Sequence, residues 1–181
     1  MELNRPRGML PVAVLIALLG AVACSRSADR SSLDSLPQSV SDAVAALAAQ
    51  CRAVDGIPHT DDTVRCGDFT KDGRDDFVLY AGWMACGNAA SVFGDREKEV
   101  TVFIADASGG AFPVFGDSVY DVAIVGPEGK LQLWLTVSAG QCGQPPAATF
   151  SEESFCDRAL LWSASTSRFD YEPVSAARML R

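Results

Sequence analysis

The chain has 181 residues, a net charge of −8 and 48% hydrophobic residues. This length suits one domain with a substantial core and is short for two. An acidic surface repels phosphate backbones and anionic lipid head groups. We therefore expect no nucleic-acid partner, and no membrane contact except through a covalent lipid anchor.

The N-terminus has the pattern of a secretory signal peptide. Arg5 and Arg7 form a positive segment, residues 9–23 are mostly apolar, and Ala21 and Ala23 supply the small-x-small pattern of a cleavage site. The apolar stretch is shorter than the roughly 20 residues that cross a bilayer as a helix. We predict that residues 1–23 are removed and that the protein is exported; an uncleaved membrane anchor is the alternative.

Cys24 follows this site directly. Small residues before a cysteine at the end of an apolar segment resemble the lipobox of bacterial lipoproteins, although Ala21 stands where that family usually has leucine. The resemblance implies a lipid on Cys24 and a lipoprotein of the outer membrane or facing the periplasm. Residues 24–36 are polar and of low complexity, which predicts a flexible tether. The same residues also suit ordinary signal peptidase, so a free periplasmic or secreted protein is the alternative.

Disulfides are expected in an exported chain with six cysteines. All six can pair, whereas lipidation of Cys24 leaves five. We favour a bond between Cys142 and Cys156, which flank a proline-containing loop, and next a bond between Cys51 and Cys66. Spacing alone does not define the connectivity.

The globular domain, predicted over residues 37–181, begins with one amphipathic helix. Apolar side chains recur at helical spacing, at Val40, Val44, Leu47, Cys51 and Val54. Such a helix needs an apolar surface to cover, and the sequence that follows predicts a sheet.

The rest of the chain predicts short antiparallel strands separated by turns. Pro113 places the strand around it at a sheet edge, and short turns after residues 125 and 163 predict two hairpins. The predicted strands are 77–83, 99–105, 111–115, 119–125, 130–137, 158–163 and 168–172. Together these elements predict an α+β fold: a mainly antiparallel β meander, as a single curled sheet or two layers, with the N-terminal helix against one face or end.

An acidic loop, CGDFTKDGRDDF at 66–77, precedes the first of these strands. Calcium takes 6–8 oxygen ligands, which a loop supplies when alternate residues converge and a glycine permits the sharp turn. We predict a structural Ca²⁺ ion, held by side-chain oxygens and one backbone carbonyl from Asp68, Thr70, Asp72, Arg74 and Asp76. Leu79 occupies the place of the final glutamate of an EF-hand, so this loop is not one. A polar hairpin turn with solvated aspartates is the alternative.

The stretch GDFTKDGRDDFV resembles the calcium loops of FG-GAP and VCBS-type proteins, which join two strands and bind calcium through their aspartates. Asp68, Asp72 and Asp76 match the ligand positions of that motif. Thr70 departs from the usual Asn or Asp, and Lys71 from the usual Gly. The match covers about a dozen residues and occurs once, and in this the chain is similar to small exported bacterial proteins with a single such loop.

Residues suited to catalysis are few. His59 is the only histidine and lies in a polar stretch, and the chain has no G-x-S-x-G or H-E-x-x-H motif. We therefore favour a non-enzymatic cell-envelope module that binds an envelope protein or a glycan through its loops at 84–98 and 138–157. The alternative is an exported hydrolase that acts on envelope polymers through paired carboxylates, drawn from Asp61 or Asp62 and Glu152 or Glu153.

Overall fold

A computed structural model describes residues 36–127 and 129–180. The predicted signal peptide, Cys24 and nearly all of the tether lie outside the described residues. The described helix α1 spans Gln38–Arg52. The described strands are, in chain order, β1 (Ile57–His59), β2 (Val64–Gly67), β3 (Asp76–Tyr80), β4 (Ala85–Gly87), β5 (Lys98–Ala105), β6 (Ala111–Val119), β7 (Asp121–Val125), β8 (Gln132–Ser138), β9 (Phe155–Ser163), β10 (Arg168–Tyr171) and β11 (Arg178–Met179).

Two antiparallel sheets form the body of the fold. The first has the strand order β2-β3-β5-β6, and the second has the order β10-β9-β8-β7 with β11 paired to β9. The chain passes from one sheet to the other at Tyr120, between β6 and β7, and β1 pairs separately with β4. The predicted α+β fold, with one helix and mostly antiparallel strands, is confirmed in its two-layer form.

The main hydrophobic core lies between the two sheets. Alternate side chains of a strand point to one face, so Val78 and Tyr80 of β3 meet Leu133 and Leu135 of β8 in one buried cluster. Phe69, from the acidic loop, also enters this cluster. The loop is therefore anchored to the core as well as to the strands that it joins.

A second core lies under the helix, on the other face of the first sheet. Val40 and Val44 of α1 pack with Phe77 and Leu79 of β3. β3 is consequently buried on both faces, and all five of its residues are buried. Val54, which the periodicity placed on the same helical face, lies beyond the helix end and is 52% exposed.

Three strand boundaries differ from the predicted ones by three or more residues, and one of them is the start of β9, at Phe155 rather than at residue 158. Residues 81–83, predicted as the end of a strand, form a 3₁₀ turn after β3. β6 continues to Val119 as an edge strand, with its register interrupted between Val102 and Phe103 of β5, opposite Pro113. The strands β1, β2, β4 and β11 were not predicted, because each has at most four residues and no clear alternation.

Candidate functional site

The acidic loop connects β2 and β3, with Gly67 and Asp76 as the last paired residues of the hairpin. The carboxylate of Asp68 accepts hydrogen bonds from the backbone N–H groups of Asp72 and Gly73, each at 3.0 Å. Gly73 has φ +86°, a conformation that favours glycine. These hydrogen bonds connect residues of the same turn and stabilise its conformation.

Asp72 faces outward from this turn. Its Oδ1 accepts a hydrogen bond from the backbone N–H of Arg74 at 2.9 Å, and its Oδ2 forms an ion pair with the Arg74 guanidinium. The same guanidinium donates through Nε to the carbonyl of Ala105 at 3.2 Å. Asp72 and Arg74 thus tie the loop to the end of β5.

Asp76 is fully buried at the base of the loop. Its Oδ2 accepts hydrogen bonds from the N–H groups of Phe69 and Thr70, each at 3.0 Å, and its Oδ1 accepts one from the N–H of Ala105 at 3.2 Å. Burial raises the pKa of this carboxyl above its ordinary value, although the N–H groups of Thr70, Ala105 and Phe69 oppose the shift. Asp76 therefore serves as a buried acceptor that fixes the loop to two strands.

The five predicted calcium ligands lie on this one loop, where the three aspartate carboxylates are bonded to groups of the protein itself. Asp68 and Asp76 bond mainly to backbone N–H groups, and Asp72 is paired with Arg74. The buried Thr70 hydroxyl lies beside the Asp76 carboxylate. In residues 36–127 and 129–180 no three Asp, Glu, His or Cys side chains are grouped as a metal site. Calcium binding stays a prediction.

Two disulfides are described. Cys142 and Cys156 are bonded, which is the pair that the sequence favoured. Cys51 of α1 is bonded to Cys86 of β4, so the predicted bond between Cys51 and Cys66 is wrong. The reason is geometric: β4 pairs with β1, which follows the helix directly, and this brings Cys86 beside the helix end.

The two loops proposed as binding loops contact each other. The Arg96 guanidinium, between β4 and β5, lies 3.7 Å from the centre of the Phe150 ring, between β8 and β9. Phe150 stacks on Tyr120 at 6.2 Å and contacts Phe155 edge-on at 5.8 Å. We call Arg96, Tyr120, Phe150 and Phe155 the aromatic cluster. Tyr120 was not predicted, and it joins the cluster because it lies where the chain passes from one sheet to the other.

A polar cluster links the edges of the two sheets and was also missed. The Tyr171 hydroxyl of β10 donates to Oδ2 of Asp117 of β6 at 2.7 Å, and the Arg158 guanidinium lies 4.7 Å from the centre of the Tyr171 ring. Burial, followed by the Asp117 carboxylate, raises the pKa of Tyr171 far above its ordinary value. Because 54 residues separate the two partners, no local pattern could have revealed this contact.

The residues of the hydrolase hypothesis lie in separate places. Asp61 and Asp62 are exposed in the turn between β1 and β2. Glu153 accepts a hydrogen bond from the Ala139 N–H at 3.0 Å, beside the Cys142–Cys156 loop, and Glu152 is exposed. His59 is exposed on β1. No hydrogen bond among the described residues connects Asp61 or Asp62 with Glu152 or Glu153. The hydrolase hypothesis stays untested.

The described part of the chain has no helix with the length and apolarity needed to span a bilayer. Comparisons of the chain with protein-family models, with curated proteins and with solved structures found no significant match.

Proposed function

We propose that the protein is an exported, non-enzymatic module of the cell envelope that binds a protein partner through the aromatic cluster. The observation that supports this is the contact between the two loops, which presents Arg96 and Phe150 on one surface. Aromatic residues, phenylalanine among them, and arginine are enriched at protein interfaces. Phe150 is 42% exposed, so part of its ring is free for a partner.

The test is a cross-linking experiment followed by a binding measurement. A photoreactive phenylalanine at position 150 should capture a partner in the intact envelope, whereas the same group at position 112 should not. Phe112 lies on β6 and is a matched control, because it is 44% exposed. With the purified partner, Phe150→Ala should weaken binding at least tenfold and Phe112→Ala less than twofold. Equal effects of both substitutions would reject the surface, and capture of a glycan would reject the protein partner.

We also propose that Ca²⁺ binds the acidic loop and stabilises the fold. The spacing of Asp68, Asp72 and Asp76 and the position of the Thr70 hydroxyl beside Asp76 support this. Asp72 would have to exchange its ion pair with Arg74 for the cation, and its side chain is 34% exposed.

Thermal melts of the mature protein in EDTA, in Mg²⁺ and in Ca²⁺ test the site. Calcium at about 100 times its dissociation constant adds about 2.7 kcal/mol, which raises the melting temperature by roughly 5–10 °C. Asp72→Asn should abolish this rise. Asp106→Asn is the control, because Asp106 caps the turn between β5 and β6 with similar bonds to Ser108 and Gly110. A rise that survives Asp72→Asn, or no rise in the wild type, would reject the site.

Export and lipidation are tested by the intact mass of the protein purified from its cells. Cleavage before Cys24 with a diacylglyceryl addition would support a lipoprotein, and cleavage without it a free exported protein. A chain that retains residues 1–23 would reject both. Binding through the aromatic cluster does not depend on which of the two forms is found.

A further inference from the structure

A groove opens between the two sheets beside the acidic loop. Its volume is about 400 Å³, within the range of roughly 300–1,000 Å³ that small-molecule sites occupy. Phe69, Leu133, Leu160 and Phe169 line it, and each is at most 5% exposed. These side chains belong to the core between the sheets, so the groove is an opening onto that core.

Two lysines stand at the groove. Lys71 belongs to the acidic loop and Lys130 to the turn between β7 and β8, and both side chains are exposed. The chain has three lysines and a net charge of −8, so a groove with two of them is an unusual place on this protein. None of the described residues that line the groove is Asp or Glu. The described lining of the groove therefore carries two cationic side chains and no carboxylate.

Two of the loop's carboxylates have other partners. Asp68 bonds to the backbone of its own turn, and Asp72 is paired with Arg74 on the side of the loop that contacts β5. Among the described ion pairs none involves Lys71 or Lys130. Lys71 has φ +63°, in the left-handed region where glycine is common, and glycine is the usual residue here in the calcium-loop motif.

We propose that this groove binds a medium-chain fatty acid, with the alkyl chain on the apolar floor and the carboxylate between Lys71 and Lys130. The leucine and phenylalanine side chains of the lining favour an alkyl chain, because sugar hydroxyls and peptide N–H groups would lose hydrogen bonds to water against them. Thr70 and Gln132 are the uncharged polar residues beside them. The two lysines form ionic contacts with the carboxylate, which a neutral alcohol of the same length cannot form. Trp162, whose ring lies 5.0 Å from that of Phe169, lines the same groove.

Calorimetry with decanoate tests whether binding requires the ligand's negative charge. It uses the mature protein, freed of non-covalently bound lipid. Decanoate should bind at a single site, and 1-decanol should bind at least tenfold more weakly. The double substitution of Lys71→Ala with Lys130→Ala should weaken decanoate binding about tenfold. Each exposed ion pair contributes only part of the binding free energy that a tenfold change represents, so both lysines are replaced. The double variant should bind 1-decanol as the wild type does. Lys98→Ala, at the third lysine, is the matched control and should change decanoate binding less than twofold.

Quenching by 10-bromodecanoate tests the position of the chain. Bromine quenches tryptophan fluorescence on contact, and Trp162 is the tryptophan of the groove, whereas Trp83 lies against Arg65 and Tyr80. Saturable quenching should disappear in Trp162→Phe and persist in Trp83→Phe. Far-ultraviolet circular dichroism and melting temperature establish that every variant is folded.

The proposal would be overturned by the absence of saturable decanoate binding up to 1 mM or by equal affinity for decanol. A loss with Lys98→Ala as large as with the groove lysines, or quenching that persists in Trp162→Phe, would overturn it as well. Competition by a galacturonate oligomer as strong as by decanoate would also overturn it, because that ligand has charge without an alkyl chain. The aromatic cluster is a different surface, so this proposal and the proposed protein partner fail independently.

Discussion

Replacing the buried Asp76 with alanine should strongly destabilise the fold. The substitution leaves the backbone N–H groups of Phe69, Thr70 and Ala105 without their acceptor. A buried donor without a partner costs about 1–3 kcal/mol. Part of this loss is offset, because the ionised carboxylate is itself desolvated, as its raised pKa indicates. We expect Asp76→Ala to lower the free energy of unfolding by about 3–5 kcal/mol.

Urea denaturation at pH 7 in EDTA measures this loss without any contribution from calcium. Asp76→Asn retains one acceptor oxygen and should fall between the wild type and Asp76→Ala. Asp106→Ala is the matched control: Asp106 accepts bonds from the Ser108 and Gly110 N–H groups, but in a partly exposed turn where water can replace it. A loss below about 1 kcal/mol for Asp76→Ala, or one no larger than that of Asp106→Ala, would contradict this prediction.

Further predictions concern alkaline pH and the disulfides. Burial, followed by the Asp121 charge, raises the pKa of Tyr80 from 10.0 to about 12. The stability contributed by its neutral hydroxyl is therefore complete below pH 10 and lost as the pH rises through 12. Tyr80→Phe should reduce the alkaline fall in unfolding free energy by at most about 2–3 kcal/mol, measured in urea at pH 9–12; an unchanged fall would contradict the assigned pKa. Replacing both cysteines of a bond by alanine should cost about 3–4 kcal/mol for Cys51–Cys86 and about 3 kcal/mol for Cys142–Cys156, because the first closes the longer loop. The reverse order in urea denaturation would contradict the loop-entropy argument.

The helix and the two hairpins could be predicted because their signals are local. Helical spacing located the buried face of α1, and the turns after residues 125 and 163 located β7-β8 and β9-β10. The allocation of strands to two sheets could not be predicted in the same way. This allocation depends on Tyr120, where the chain passes from one sheet to the other and the sequence has no turn signal. It also depends on the burial of β3 by both α1 and the second sheet.

The candidate sites show the same limit. The acidic loop was visible because its residues are adjacent in sequence, but its aspartates are bonded largely to nearby N–H groups, which any tight turn leaves in need of acceptors. The groove could not be predicted from the sequence, because Lys71 and Lys130 lie in loops of different sheets. The Cys51–Cys86 bond was missed because β1 and β4 are three residues each and have no strand signal of their own.

The double burial of β3 has a consequence for the unfolded chain. FVLYA, at 77–81, is apolar and rich in residues of high β-propensity, and such a segment is prone to pair with other copies when it is not covered. The charged residues at 72–76 stand immediately before it and act as gatekeepers, because like charges on neighbouring chains repel each other. The acidic loop therefore protects the most buried strand before it folds, and amide substitutions at these positions should increase aggregation during refolding even where the native structure survives.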